Sequence, residues 1–530
     1  MISGPKTSNG DKAAVGGTTR RDFVKTGAAV VAAVPIVSAA VPRSAEAAAK
    51  KGGHLRVGVG SGSTTHTLDP GTLEDTHGLI FSAGALTNCL TVVGKDGSLE
   101  PDLAESWEST KDAKSWTFSL RKGVEFHNGQ SFTADDVVAS LRHHMGEESK
   151  SAAKPLLSAI TEIKTDGANR VTVALSGGNA DFPVMLSDYH LGIMPSKDGA
   201  VVDAESGVGT GPYVKESFEP GVRSTGTRYE NYHRDTYFDS VELLAIHDVA
   251  ARTNALSTGE VDIIDRCDLK TVHLLSRKSD LEITSIAGTQ HYTFPMRTDI
   301  SPYDNNDVRL ALKYGVDRQK LVDTILRGYG SLGNDHPIGL ANRFHAGDLP
   351  QRAYDPDKAK FHMKKAGLDT LTVDLHTSDG AFGGAVDAAT LYREHASKAG
   401  IDINVVREPA DGYWSNVWMN KAWCACYWSG RPTEDLMFSS AYQTGVPWND
   451  SFWSHAKFDA LLIAARAETD EAKRRTMYFD MQQIVSDEGG VVVPMFANYV
   501  GAHSTKLAHG YIGKNYDMDG GRILERWWFA

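Results

Sequence analysis

Hydrophobic and polar residues alternate in short runs along much of the chain, and longer stretches with helical spacing separate these runs. Alternation predicts strands at 53–59, 116–120, 160–175 (as a pair), 213–219, 241–246, 371–375 and 401–406. Apolar spacing of three and four predicts helices from Thr133 onward, where Thr133 would cap the helix with Asp136 facing back, and at 307–327, 355–366, 386–399 and 457–487. The aromatic segment Tyr511–Phe529 also has a strand-like pattern. This mixture predicts an α/β protein.

The first 47 residues have the pattern of an export signal. The pair Arg20-Arg21 precedes a weakly apolar run at 26–41, which is too short to anchor the chain in a bilayer. The run ends at Ser44-Ala45-Glu46-Ala47, so cleavage is expected after Ala47. The paired arginines resemble the twin-arginine export signal, and an ordinary secretory signal with a chance pair is the alternative. The mature protein is expected in the periplasm, without a lipid anchor.

Length and charge narrow the classes of function. The 483 residues after the signal exceed what one core usually organises, which predicts two or three domains. The whole chain carries a net charge of −12, and the part after the signal carries −15. An acidic surface argues against nucleic acids and anionic membranes as partners.

The four cysteines give no sign of a disulfide framework or a metal site. Cys424 and Cys426 lie on one face of a predicted strand and are poorly placed to bridge each other, and no histidine follows at zinc spacing. Cys89 and Cys267 stand alone. We therefore expect the cysteines to be small buried hydrophobic residues, with no metal and no cofactor.

Seven segments, in order along the chain, resemble one family. They are Leu99–Trp107, Trp116–Gly129, Phe132–Val137, Gly209–Tyr213, Leu256–Asp262, Val308–Arg318 and Tyr354–Ala359. On these segments the chain is identified as a member of extracytoplasmic solute-binding protein family 5, the dipeptide, oligopeptide and nickel class of ABC-importer binding proteins. Most of these motifs have structural interpretations, so they identify the scaffold rather than the ligand.

The resemblance implies two α/β lobes that close by a hinge over a ligand, with an additional inserted subdomain. The expected boundaries are 48–82, 206–291 and 503–530 for lobe I, 83–205 for the inserted subdomain and 292–502 for lobe II. The implied function is capture of a small molecule and its delivery to the permease subunits of an ABC importer in the inner membrane, by a monomer that is not an enzyme. The alternatives are an exported enzyme, for which no catalytic motif is present, and a binding protein that serves a chemoreceptor.

The resemblance also indicates where a ligand would bind. In dipeptide-binding relatives a carboxylate after a Trp-x-Gly turn holds the amine of the ligand, whereas here Arg431 follows Trp428-Ser429-Gly430. Asp379 falls at or near the place where relatives have an arginine for the carboxyl end. An arginine fork suits a carboxylate, so the ligand is expected to be a zwitterion such as an amino-acid derivative, an opine-like conjugate or a betaine. The alternative for Arg431 is a surface salt bridge with Glu434 or Asp435.

Aromatic and small polar residues complete the predicted site. Trp428, and after it Trp414, are expected to line the cleft, where such rings could also surround a quaternary amine. Thr64, Thr65 and His66, in the loop after the first strand, are the expected lining from the other lobe. A metal or haem contact is the alternative for His66.

Overall fold

The computed structural model describes residues 49–73, 75–94, 97–409, 413–431 and 433–530, apart from the side chain of Ser415. The predicted export signal lies outside the described residues. In the described part of the chain, strands β1 to β21 are, in order, His54–Val59, Thr91–Val93, Leu99–Pro101, Ala104–Ser109, Ser115–Leu120, Ile160–Thr165, Arg170–Leu175, Ser196–Lys197, Ala200–Val201, Tyr213–Glu219, Arg223–Arg228, Ser240–Ala245, Ile263–Ile264, Leu281–Pro295, Gly330–Leu332, Leu371–Thr377, Ile401–Arg407, Cys426–Trp428, Val491–Ser504, Leu507–His509 and Trp527–Phe529.

Helices are interspersed with these strands, as in an α/β protein. Helices α1 to α15 are Thr76–Gly78, Ala134–Met145, Phe182–Met185, Val249–Thr258, Val272–Leu275, Asn306–Tyr314, Arg318–Ile325, Pro356–Lys365, Ala385–Ser397, Tyr413–Asn416, Glu434–Ala441, Ala456–Ala467, Glu471–Glu488, Asp517–Gly520 and Ile523–Arg526. A π-helical segment, Leu79–Leu86, directly follows α1. None of the described helices has the length and apolar character needed to cross a membrane.

The largest sheet links two separate hydrophobic cores. Its strands follow the order β10-β11-β12-β1-β13-β19-β14-β18, and β15 also pairs with β19. The two long strands β14 and β19 run antiparallel to each other through the middle of the molecule. At one end, Leu281 of β14 packs with Val500 and Ala502 of β19, and at the other end Phe294 packs with Val492. Two strands that pass from one core to the next are suited to act as a hinge.

On the first side, a further group of buried residues beside the Leu281 cluster contains β1 together with the C-terminal segment. Leu55 and Val57 of β1 share a core with Leu524 and Trp527, and the Tyr213 hydroxyl donates to the Leu524 carbonyl at 2.8 Å. The core on the second side combines α6, α7 and α9 with the parallel pair β16 and β17. A third core lies between the antiparallel sheet β4-β5-β7-β6 and helix α2. The predicted residue boundaries of the lobes stay a prediction.

The region of the third core also contacts helices α12 and α13. The Asp181 carboxylate pairs with the Arg474 guanidinium, and both side chains are almost fully buried. Nearby, the Ala180 N–H donates to the Arg466 carbonyl at 2.7 Å. These bonds join segments almost 300 residues apart in the chain.

Most predicted elements are confirmed. Strand β10 spans the predicted 213–219, and β6 and β7 form the predicted antiparallel pair within 160–175. Helix α2 begins after Thr133, whose backbone N–H donates to the Asp136 carboxylate at 2.8 Å, which confirms the predicted cap. All four cysteines are buried and unbridged, as expected.

Three predicted elements are wrong in part. The single helix predicted at 307–327 is two helices, because Gly315 ends α6 and Asp317 caps α7 by accepting from the Lys320 N–H at 3.0 Å. The helix predicted at 457–487 breaks in the same way, with Asp470 as the cap of α13. In the segment predicted as a strand at 511–529, only Trp527–Phe529 is a strand, because Asp and Gly residues make the turns and short helices that precede it.

Candidate ligand-binding cleft

A cavity of about 990 Å³ lies where β14 and β19 pass between the two cores. Its floor includes Gln290 of β14 and Asn498 and Tyr499 of β19. Here β14 bulges, since Ala287 pairs with Asn498 and His291 pairs with Phe496, which leaves three residues of β14 opposite Ala497. A bulge between two cores opens space beside the sheet and re-aims the neighbouring side chains. The cavity therefore lies beside the two strands that pass from one core to the next.

The loop that carries Arg431 is fixed by this bulge. Strand β18 pairs with β14 up to Trp428, and Gly430 then passes directly over Thr289. A Cβ atom at position 430 would overlap with the Thr289 Oγ1, so only glycine fits this approach. Helix α11 begins after Thr433, which caps it by accepting from the Leu436 N–H at 3.1 Å. Both ends of the loop are thus held, and Arg431 projects between them.

Arg431 lines the cavity and has no carboxylate partner within 4.0 Å among the described residues. Its guanidinium donates to the Ser429 carbonyl at 3.2 Å and lies 5.7 Å from the centroid of the Trp428 ring. Burial lowers the pKa of the guanidinium below its usual value, while Tyr516, Tyr189 and Asp188 oppose that shift. An arginine in this setting still carries its charge at neutral pH. The cavity therefore contains a positive charge that no described side chain neutralises by direct contact.

The alternative assignment of Arg431 to a surface salt bridge is wrong. Glu434 accepts the Phe344 N–H at 2.8 Å, and Asp435 pairs with Arg466 at 3.0 Å. Both carboxylates are buried in the first turn of α11, where their own partners hold them. Neither one neutralises Arg431.

Asp517 is an acidic residue of the same cavity. Its Oδ1 accepts from the Met518 N–H at 2.8 Å, and no described cation lies within 4.0 Å of it. Burial, together with the neighbouring carboxylate of Asp265, raises the pKa of Asp517 to about 6, while Arg266 opposes the rise. Arg266 also lines the cavity and donates to the Thr76 Oγ1 at 3.1 Å. The cavity thus presents both signs of charge.

Aromatic rings supply most of the remaining wall. Tyr292 and Phe382 stack with their centroids 4.1 Å apart, and Tyr189 meets Tyr516 edge to face at 5.4 Å. Tyr427 and Trp448 line the cavity with much of their surface exposed. Cavities that bind small organic molecules commonly combine such apolar walls with a few polar or charged groups.

Of the residues predicted for the site, the structure places Arg431 in the cavity wall and the others outside it. Trp428 is buried behind Arg431, and Trp414 packs on Trp418 and Tyr427. Asp379 lies at the surface, 3.8 Å from Arg407. In the loop after β1, Thr64 and Thr65 are exposed and His66 is buried 3.2 Å from Asp75. A direct role of these residues in binding stays a prediction.

Sequence reasoning did not identify Asp517, Arg266, Tyr427 or Trp448 as residues of the site. The run Asn515-Tyr516-Asp517, followed by Asp519-Gly520-Gly521, is typical of a turn, and this signal could have indicated that Asp517 lies in a loop. Arg266 adopts a positive φ of 44°, and no sequence pattern predicted this backbone conformation. Its place in the cavity depends on tertiary structure.

The comparisons with known proteins agree with this architecture. The model of the family described as "Bacterial extracellular solute-binding proteins, family 5 Middle" matches residues 98–450. Heme-binding protein A of Haemophilus influenzae is 26% identical over 471 residues, which cover 80% of this chain and 84% of that protein.

Two solved structures show the same fold. One is the ABC transporter-associated periplasmic binding protein DppA from Helicobacter pylori in complex with the peptide STSA, with a TM-score of 0.74, 21% identity and coverage of 91% of this chain and 99% of that one. The other is the binding protein AgaA in complex with agropinic acid, from "A.tumefacien R10", with a TM-score of 0.73, 23% identity and coverage of 90% and 99%.

Because the family model covers more than half of the chain, the chain belongs to the bacterial extracellular solute-binding proteins of family 5. It has the two-lobed fold of periplasmic binding proteins. It is a solute-binding protein of an ABC importer and not an enzyme.

Proposed function

We propose that the ligand is a small zwitterion with a carboxylate, such as an amino-acid derivative, an opine-like conjugate or a peptide-like compound. In this proposal Arg431 binds the carboxylate. The observation that supports it most is the unpaired guanidinium in the cavity wall. The half-buried guanidinium donates to the carbonyls of Ser429 and Gly430 but meets no described carboxylate, so a ligand carboxylate would add paired, charge-assisted hydrogen bonds.

Asp517 would bind the cationic group of the same ligand. It replaces Asp379 in this role, since Asp379 lies outside the cavity and beside Arg407. The carboxylate of Asp517 is half-buried, lacks a described cation within 4.0 Å and lies in the same cavity as Arg431. Two unpaired charges of opposite sign in one cavity match a zwitterion better than a simple anion or cation. Similar folds have been solved in complex with agropinic acid and with the peptide STSA, and a peptide with free ends is itself a zwitterion.

We further propose that the chain reaches the periplasm by the twin-arginine route and is cleaved after Ala47. This part of the proposal is supported by Arg20-Arg21 and by the small residues at 44–47. The mature protein would act there as a monomer. On closing over its ligand it would present both lobes to the permease subunits.

A thermal-shift screen tests the proposed ligand class. The mature protein is mixed with zwitterions (amino-acid derivatives, opines, betaines and dipeptides) and with simple carboxylates and amines as single-charge controls. A ligand at a hundredfold over its Kd stabilises the native state by about 2.7 kcal/mol, so the zwitterions should raise the Tm more than either control does. The shift should disappear in Arg431→Ala and persist in Arg407→Ala, which removes an exposed arginine outside the cavity. Equal shifts in both variants would contradict the proposal.

A further inference from the structure

Trp448 is a large apolar side chain left half exposed at the cavity. Its exposed fraction is 51%, and Tyr427, which lines the same cavity, is 39% exposed. Neither residue belongs to the family turn that contains Trp428. Indole and phenol rings usually bury most of their surface, so two rings exposed toward one cavity indicate a surface with a function.

The loop that holds Trp448 is rigidly anchored by the two residues that follow it. Asn449 is buried and donates to the carbonyls of Gln443 at 3.1 Å and Trp453 at 2.7 Å. Asp450 is also buried and accepts the indole N–H groups of Trp418 at 3.1 Å and Trp428 at 3.3 Å. An exposed ring on a loop fixed in this way loses little conformational freedom when it binds a partner.

Trp448 and Arg431, the proposed carboxylate-binding residue, both lie close to Trp428. The ring centroid of Trp448 is 6.3 Å from that of Trp428, and the Arg431 guanidinium is 5.7 Å from the centroid of Trp428. Trp428 thus contacts both the exposed indole and the unpaired cation. A ligand carboxylate at Arg431 would place the rest of the ligand within reach of Trp448.

We infer that Trp448 and Tyr427 form an aromatic subsite, which binds a planar aromatic ring of the ligand whose carboxylate is held by Arg431. This inference rests on the proposed function and narrows it to zwitterions that carry an aromatic group. The cavity of about 990 Å³ lies at the upper end of the usual range for small-molecule sites, so it holds a ring in addition to the two charged groups. Ring–ring contacts favour an aromatic group over an aliphatic group of the same size.

Three matched acids test the subsite, whatever the natural ligand is. The probes are 3-phenylpropionate, 3-cyclohexylpropionate and propionate, titrated onto the mature protein by ligand-observed saturation-transfer NMR. We expect 3-phenylpropionate to bind about five- to tenfold more tightly than the cyclohexyl acid. Trp448→Leu should abolish that preference, Trp448→Phe should keep most of it, and Phe361→Leu, at an exposed position on α8, should leave it unchanged.

The outcomes separate this inference from the proposed function. Equal affinity for the phenyl and cyclohexyl acids, a preference that survives in Trp448→Leu, or no binding of 3-phenylpropionate would overturn the aromatic subsite. Arg431→Ala tests the anchor separately, because it should weaken both acids by the same factor. If that variant binds both acids as the wild type does, while the phenyl preference still depends on Trp448, the anchor fails and the subsite stands.

Discussion

The guanidinium of Arg431 lies over the ring of Trp428, and the indole N–H of that tryptophan donates to the buried carboxylate of Asp450 at 3.3 Å. The tryptophan of the family turn therefore does not line the cavity. It supports the charged residue that does, and Asp450 fixes its orientation. A buried carboxylate with no described cation in contact costs free energy when it is ionised. Its protonation should therefore change the stability of the protein measurably.

Asp450 should give the stability of the protein a distinctive pH dependence. Burial raises the pKa of Asp450 to about 6 from its usual value near 3.8. Between these two pKa values the folded state keeps the proton on Asp450, whereas the unfolded chain has released it. The protonated carboxyl therefore stabilises the folded state fully below about pH 4, and this stabilisation is lost as the pH rises through about 6. The test measures the free energy of unfolding of the wild type and of Asp450→Asn by urea denaturation. The value for the variant minus the value for the wild type should rise by up to about 3 kcal/mol between pH 4 and pH 7, because only the wild type loses this stabilisation. A difference between variant and wild type that is constant across this pH range would contradict the raised pKa of Asp450.

Gly430→Ala should displace Arg431 from the cavity wall. The added Cβ would overlap with the Thr289 side chain, so the loop must move away from the β14 bulge. We expect ligand affinity to fall at least tenfold, as measured by calorimetry, because the guanidinium no longer meets the carboxylate at hydrogen-bonding distance. Gly177→Ala serves as a control, since nothing lies within 4 Å of its added Cβ. Recovery of affinity in Gly430→Ala combined with Thr289→Gly, which removes both the Oγ1 and the Cβ that the added atom would meet, would show that the clash is the cause.

Local pattern predicted the elements of this fold well where one local signal dominates. The alternation at 213–219 and the cap at Thr133 gave the observed strand and helix. The pattern failed where a residue that ends or begins a helix lies inside an otherwise continuous apolar spacing, as at Gly315, which ends α6, and at Asp470, which begins α13. Periodicity does not register such a break, because the flanking apolar residues stay in phase across it.

The cavity was predictable only in part. Arg431 follows a turn whose spacing the sequence displays, so its position could be inferred. Asp517 comes from the C-terminal segment and meets the cavity through the packing of Leu524 and Trp527 against β1. The position of Trp448 at the cavity depends on the hydrogen bonds of the buried side chains of Asn449 and Asp450. Contacts between such distant segments leave no periodic signal in a single sequence.

The ion pair between Asp181 and Arg474 should be important for stability. Both side chains are almost fully buried, so Asp181→Ala leaves the guanidinium without its partner. The free energy of unfolding should fall by about 3–5 kcal/mol in this variant, as measured by chemical denaturation. The double variant Asp181→Ala with Arg474→Met should be more stable than the single variant, since it removes the uncompensated charge. A single variant as stable as the wild type would show that the pair contributes little.

The most direct test of the proposed binding mode is calorimetric titration of the zwitterion that gives the largest thermal shift. Wild type, Arg431→Ala, Asp517→Asn and the control Arg407→Ala are compared at pH 7.5, above the pKa of about 6 at Asp517. We predict that Arg431→Ala and Asp517→Asn each lose at least tenfold in affinity, whereas Arg407→Ala binds as the wild type does. Affinity unchanged in both cavity variants would contradict the assignment of Arg431 and Asp517 as the two anchors of a zwitterion.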